Sequence, residues 1–237
     1  MKNIILVLLV VLCCRLGFAQ DTSIIKYLPL QVGNVWVYRC TGSPASDSGK
    51  SRIRITATTI SNGHTFYQLV LTGHTCNCSF ESQSPFLDAL VPMRIDSLTG
   101  NIMFQSGSCA WHVNEHIEDS LKLRQGNTIF DSCYFGSCSD TNQQTVFGVL
   151  RNTKYLGSPV YQNSKLRRYA YGIGLVSSLY GCYYNTGVTY TLLGCVIDGV
   201  VYGDTSILTG VNMIASEVPK SFTLYQNYPN PFNPLPE

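Results

Sequence analysis

Charge is scarce in this chain. Only 13% of its 237 residues are Asp, Glu, Lys or Arg, and sixteen basic against fourteen acidic residues leave a formal net charge of +2. Such a balance offers no basic footprint for nucleic acid or for an anionic membrane surface, so nucleic acid is excluded as a partner. Helix signals are also sparse, the segment from Pro85 to Leu90 being the best short turn of one. Catalytic signatures are missing as well. No Gly-x-Ser-x-Gly elbow occurs. Gly172 and Gly174 lack the third glycine and the following helix of a dinucleotide loop. The acidic residues Asp88, Asp96, Glu115, Glu118, Asp119 and Asp131 form no pair whose separation the sequence fixes. No internal repeat is present, and no cofactor is expected.

What is there begins with an export signal. Lys2 precedes an apolar run from Ile4 to Leu12, and Gly17-Phe18-Ala19 places small residues three before and one before a cut between Ala19 and Gln20. The run falls well short of the about 20 residues of a membrane span, and Arg15 closes it. The residues before Cys13 and Cys14 lack the small side chains of a lipoprotein processing site. Residues 1–19 therefore read as a signal peptide, with the Sec translocon and signal peptidase as partners. Its removal takes Lys2 and Arg15 away and leaves fourteen basic against fourteen acidic residues, a neutral mature chain.

Removal also takes two of the ten cysteines and leaves Cys40, Cys76, Cys78, Cys109, Cys133, Cys138, Cys182 and Cys195. An even number of cysteines behind a secretory signal reads as a set of disulfides, with connectivity left open. The rival reading is a metal site of His74, Cys76 and Cys78, with Cys133 and Cys138 as a further pair. Zinc sites usually separate paired cysteines by two to four residues, and Cys76-Asn77-Cys78 is tighter than that, so no metal is expected.

Between the signal and the tail, residues 20–208 form one domain punctuated as antiparallel strands. Arg52 to Ile60 alternates, with Ile53, Ile55 and Ala57 on one face. Asn62-Gly63 supplies the two positive-φ positions of a tight hairpin, and Thr65 to Thr72 returns beside the first strand. Met93 to Asp96 and Asn101 to Gln105 flank Ser97-Leu-Thr-Gly100, and Asp198-Gly199 turns Thr189 to Ile197 into Val200-Val-Tyr202. Val35 to Cys40, Thr145 to Leu156 and Ile173 to Tyr180 are strand-like in their β-branched and aromatic content, and Gly33-Asn34 reads as a turn before a strand that buries Trp36. The expectation is an all-β domain of about ten mostly antiparallel strands, curled or sandwich-like and stapled by disulfides.

One string has catalytic form. His112-Val-Asn-Glu115-His116 fits the His-x-x-Glu-His pattern of inverted zinc peptidases. On a helix, His112 and His116 sit one turn apart and share a zinc ion, with Glu115 as base; on a strand they are roughly 13 Å apart and share nothing. Alternation of Trp111, Val113 and Ile117 supports the strand, and a secreted zinc hydrolase remains only the alternative to a non-catalytic module. His64 reads as an exposed loop residue. Fifteen tyrosines suggest a carbohydrate or protein ligand on an exposed sheet face, with Tyr180, Tyr183 and Tyr184 as the place to look.

Residues 209–218 read as a linker and 219–237 as an extended tail, in which Pro219, Pro229, Pro231, Pro234 and Pro236 deny backbone donors. The run from Pro219 to Pro234, ending in Gln226-Asn227-Tyr228-Pro229-Asn230-Pro231-Phe232-Asn233-Pro234, closely resembles the opening of the type A C-terminal sorting domain used by the bacterial type IX secretion system. The resemblance implies Sec-dependent entry to the periplasm, recognition by the type IX machinery, passage across the outer membrane and release or attachment at the cell surface. Family members continue through a small β-sandwich, whereas this chain stops at Leu235-Pro-Glu237, a truncated version of the address. The core is similar to a group of secreted bacterial β-rich domains through Tyr27-Leu-Pro-Leu-Gln-Val-Gly-Asn-Val-Trp-Val-Tyr38 and Tyr171-Gly-Ile-Gly-Leu-Val176, a likeness that implies no activity.

Overall fold

The computed structural model describes residues 23–42, 47–78, 81–82, 91–105, 115–131, 134–158, 165–181 and 187–206. All of them lie in the first of two units, Met1–Ile207. The signal segment, the Pro85–Leu90 turn, the linker and the sorting tail fall outside the described residues.

A short 3-10 turn, Ile24–Tyr27, precedes the strands β1 (Val35–Thr41), β2 (Ser48–Ser61), β3 (His64–Gly73), β4 (Asn77–Cys78), β5 (Glu81–Ser82), β6 (Met93–Ile95), β7 (Asn101–Gln105) and β8 (Glu115–Ser120). There follow β9 (Thr128–Asp131), β10 (Tyr134–Val146), β11 (Val149–Ser158), β12 (Lys165–Ala170), β13 (Gly174–Gly181), β14 (Gly187–Ile197) and β15 (Val200–Gly203). No α-helix occurs among the described residues. Thirteen strands make one antiparallel sheet in the order β8-β7-β6-β3-β2-β1-β14-β13-β12-β11-β10-β9, with β15 beside β14, while β4 and β5 pair separately.

This order explains the shape. The sheet is two meanders that grow outward from the β1–β14 pairing, so the last strand of one, β8, and the first of the other, β9, lie at opposite ends of the path. Laid flat at about 4.8 Å per strand, the ends would be on the order of 50 Å apart. Yet β8 and β9 are joined by Leu121–Asn127 alone, which reaches less than about 30 Å when fully extended. The sheet therefore curls until it nearly closes into a barrel. Along the seam the connection is tied to the far wall: the Gly126 amide donates to Cys138 O (2.9 Å), the Cys138 amide to Asn127 O (3.0 Å), and Lys154 Nζ to Leu123 O (3.1 Å) and to Leu121 O.

The expected turns are present. Asn62 and Gly63 have φ of 50° and 75°, and Asp198 and Gly199 have 51° and 82°. A third pair, Phe147 (51°) and Gly148 (77°), splits the expected Thr145–Leu156 strand into the β10–β11 hairpin. Phenylalanine rarely tolerates this backbone region. Here its ring stacks on Tyr202, centroids 6.3 Å apart, and packs against Gly203, whose missing Cβ would otherwise lie 2.4 Å from it. His64 begins β3 rather than lying in a loop, and it is exposed as expected.

The concave face holds the core, with Trp36, Tyr38 and Cys40 from β1, Ile53 and Ile55 from β2, Ile102 and Phe104 from β7, Tyr169 from β12 and Tyr190 from β14. Each fully buried aliphatic or aromatic side chain contributes on the order of 1.5–3 kcal/mol. The large polar aromatics are satisfied across the β1–β13 gap, where Trp36 Nε1 donates to Ile173 O (2.7 Å) and Tyr38 OH to Leu175 O (2.8 Å). A register shift between Ile55 and Ala57 leaves Ala57 half-buried at the margin.

Gly194 shows how closely β15 is seated. A Cβ there would meet the backbone carbonyl carbon and oxygen of Asp204 at 2.5 Å. Gly194→Ala is therefore expected to lose about 1–3 kcal/mol of stability, the usual range for overpacking, and to deprotect the amides of Val200–Gly203 in hydrogen exchange. Unchanged protection of β15 would refute this account of its docking.

Candidate functional site

Three arrangements carry polar chemistry. The first is a charged cluster inside the barrel. Residues on a regular strand alternate between faces, but the register shift in the β7–β8 pairing leaves Glu118 without a rung partner, so Glu118 and Asp119 both turn inward. From β12, Arg167 meets both: Nη1 donates to Asp119 Oδ2 (2.7 Å) and Nη2 to Glu118 Oε1. Arg167 Nη2 also donates to Tyr180 OH (3.3 Å), Tyr169 OH to Asp119 Oδ2 (2.5 Å), and Lys165 Nζ to Glu118 Oε1 (3.5 Å). Arg167 is 1% exposed, so the pairing is desolvated.

Burial would raise the Glu118 pKa, but the guanidinium of Arg167, and after it Lys165, hold it below the ordinary carboxyl value. Burial would lower Arg167, and Glu118 with its neighbours keeps it well above its ordinary value. Burial first, then Asp119, lifts Tyr169 far up, and burial pushes Tyr180 up to about 12. Glu118 and Arg167 thus stay charged, and Tyr169 and Tyr180 neutral, near neutral pH. The cluster can brace the barrel by joining β8 to β12 and β13 across the interior.

The second arrangement is a cleft outside the barrel. A groove of about 360 Å³ is lined by Lys26, Leu28, Pro29, Tyr67, Ile95 and Asp198 among others. It shares Tyr67, Ile95 and Ser97 with a neighbouring depression of about 390 Å³ that adds His64 and Arg94. Its floor is mostly apolar and a few charges stand at the rim, the general form of a small-ligand site.

The third is a cysteine corner. Cys40 on β1 is bonded to Cys76, just before β4, with Cα atoms 5.9 Å apart. Beside them His74 Nε2 lies 2.7 Å from Asp47 Oδ1, and the Cys76 amide donates to Tyr190 OH (3.4 Å).

The sequence-derived candidates land as follows. Cys40 and Cys76 pair. Cys138 and Cys195 do not: both are buried free thiols, which corrects the expectation that they are cross-links. Cys195 lies on β14 opposite Trp36, where burial pushes its pKa up to about 12, and the Cys138 thiol, also raised by burial, donates to Asp140 O (3.5 Å). Each behaves as a small apolar core residue. Cys78 lies on β4 in the β4–β5 ribbon; Cys109, Cys133 and Cys182 lie outside the described residues. So does His112, while Glu115 and His116 lie on strand β8 and not on a helix. Adjacent strand residues face opposite ways: Glu115 accepts from Arg94 Nη2 (2.7 Å) and Nε (2.9 Å), and His116 is buried edge-on to Phe104. Tyr180, sought on an exposed face, is instead buried against Arg167 because the β13 face that carries it turns inward; Tyr183 and Tyr184 lie outside the described residues.

No family model matches the chain, and no curated protein matches it. Among solved structures it is similar to the crystal structure of a "putative lipoprotein" from Parabacteroides distasonis ATCC 8503, at 9% identity and a TM-score of 0.30, over 70% of this chain and 96% of that one. It is also similar to that of a "putative exported protein with YmcC-like fold" from Bacteroides fragilis NCTC 9343, at 10% identity and a TM-score of 0.36, over 70% and 96%.

Proposed function

We propose that this protein is an exported, non-catalytic binding or structural module, sent to the periplasm by its signal peptide and onward to the cell surface by type IX secretion through the tail at Gln226–Pro234. The observation that carries this reading is the buried Cys40–Cys76 disulfide, because such bonds persist in oxidising compartments and are rare in the cytosol. The fixed charges of the interior cluster favour a module that binds or supports over one that turns over substrate. The cleft beside Tyr67 is where a ligand would sit.

Fractionation tests the route. Cells expressing the chain with and without residues 219–237 are separated into cytosol, periplasm, outer membrane and medium, and the protein is assayed in each. The complete chain is expected outside the inner membrane and enriched beyond the periplasm, and the shortened one is expected to stop in the periplasm. Equal distribution of the two would remove the sorting role of the tail, and retention of both in the cytosol would remove the export reading altogether.

A further inference from the structure

We propose that the corner of Cys40, His74 and Cys76 is a thiol-gated metal site, closed as a disulfide and, once reduced, able to hold one thiophilic ion such as Zn²⁺ through the two sulfurs and the imidazole. One ring nitrogen of His74 and the two Sγ atoms lie within 4.8 Å of one another. Two thiolates and one imidazole form a donor set that suits zinc, which takes three protein ligands and leaves its fourth position to water.

The imidazole is held in place from several sides. Gly73, at φ 95°, turns the chain out of β3, and the His74 amide then donates to Lys50 O (2.8 Å). The residue opposite Cys40 on β2 is Gly49, and any Cβ there would lie 2.5 Å from His74 Cβ, so the missing side chain is what gives the ring its place beside the sulfurs. Asp47 Oδ1 lies 2.7 Å from Nε2, and a carboxylate on one ring nitrogen is the usual device for orienting a histidine that ligates through the other. Cys40 is fixed on a strand, whereas Cys76 lies in the irregular segment between β3 and β4, where sulfurs can separate from disulfide to metal spacing. The His74 side chain is 46% exposed, which gives an ion its way in.

The gate is a balanced exchange. A dithiol reductant gives two electrons and two protons to the Cys40–Cys76 bond and becomes a disulfide itself; the ion then displaces the two thiol protons, and the neutral imidazole adds as the third ligand. A disulfide oxidant reverses the sequence: it takes two electrons from the thiolates and is itself reduced to a dithiol, the Cys40–Cys76 bond re-forms and the ion is expelled. This site differs from one built on Cys78, which the sequence spacing argued against, because its second sulfur comes from a strand 36 residues earlier. It does not depend on the export route.

The test uses the purified chain, reduced with a dithiol and desalted without oxygen, with circular dichroism followed throughout. Co²⁺ is titrated as a spectroscopic stand-in, and Zn²⁺ is then competed against a chromophoric chelator. Reduced protein is expected to take one equivalent of Co²⁺ with thiolate charge-transfer absorption that Zn²⁺ abolishes, while untreated protein shows none. His74→Ala, at a half-exposed position, is expected to weaken Zn²⁺ at least about 10-fold, and Asp47→Asn, which removes the carboxylate that orients the ring, by about 10–100-fold. Thiolate absorption unaffected by His74→Ala would assign the metal to other cysteines and overturn the proposal. So would reduced, folded protein that takes no Co²⁺, or protein that unfolds on reduction and regains neither its sheet signal nor metal absorption when Zn²⁺ or Co²⁺ is added.

Discussion

Arg167→Met is expected to destabilise the barrel by about 3–5 kcal/mol at pH 7, measured by urea denaturation, because it strands two buried carboxylates without their cation. Glu118 and Asp119 are nearly as buried as the arginine, and Lys165 reaches Glu118 at the longer distance of 3.5 Å. The sign of the pH dependence distinguishes this mechanism from lost packing. In the wild type the Glu118 pKa is depressed, so the stability it contributes is complete above the ordinary carboxyl value of about 4.3 and is lost as pH falls through the depressed one. The variant loses the largest influence opposing burial, so the Glu118 carboxyl rises, with Lys165 and His116 still acting to lower it, and protonation relieves it as pH falls. The difference between variant and wild type should therefore shrink between pH 7 and pH 5. Adding Glu118→Gln and Asp119→Asn to Arg167→Met should recover part of the loss, since it removes the uncompensated charge. A loss that is the same at both pH values would mean that Arg167 acts through its bulk alone.

Legibility in the sequence followed the range of each interaction. Asn62-Gly63 and Asp198-Gly199 could be read because a two-residue hairpin is a local bargain between backbone φ and adjacent side chains, and both turned as expected. Phe147-Gly148 escaped because phenylalanine carries no turn preference; its conformation is held by Tyr202, which is far away in the chain. The strand β2 could be read from alternation, β1 from its β-branched and aromatic content and β7 from the turn before it, whereas near closure depends on β1 pairing with β14 and on the length of Leu121–Asn127, neither of which is a pattern within a window.

The interior cluster was the hardest to see. Glu118 and Asp119 are consecutive, and a regular strand would send one of them to solvent; only a register shift that the sequence does not announce brings both inside. The one available hint was the spacing of His116, Glu118 and Ser120 on alternate positions, with the apolar Ile117 on the other side. In the cysteine corner the sequence singled out His74 and Cys76, but not the disulfide partner Cys40. Nearness along the chain drew attention to Cys78, whereas Cys40 is brought to the corner by the β1–β2–β3 register, which no local pattern announces.

Loss of the Cys40–Cys76 bond is the second large effect expected. Closing a loop over a sequence separation of 36 restricts the unfolded chain by about 4 kcal/mol in the loop-entropy relation. For a domain of this size, each kcal/mol moves the melting point by about 2–4 °C, so Cys76→Ser in a chelating buffer should melt on the order of 10 °C lower. The loop encloses β2 and β3, whose Asn62-Gly63 hairpin can form without help from the rest of the chain. Residual hairpin in the unfolded state would already restrict the loop and reduce the effect. Cys40→Ser should cost more than Cys76→Ser: both side chains are buried in the core cluster, but Cys76 Sγ lies 3.2 Å from the Asp47 carbonyl oxygen, to which a serine hydroxyl can donate, whereas Cys40 Sγ is 3.8 Å from the His74 carbonyl oxygen. If both variants melt within a degree or two of the wild type, the bond is a spectator to folding.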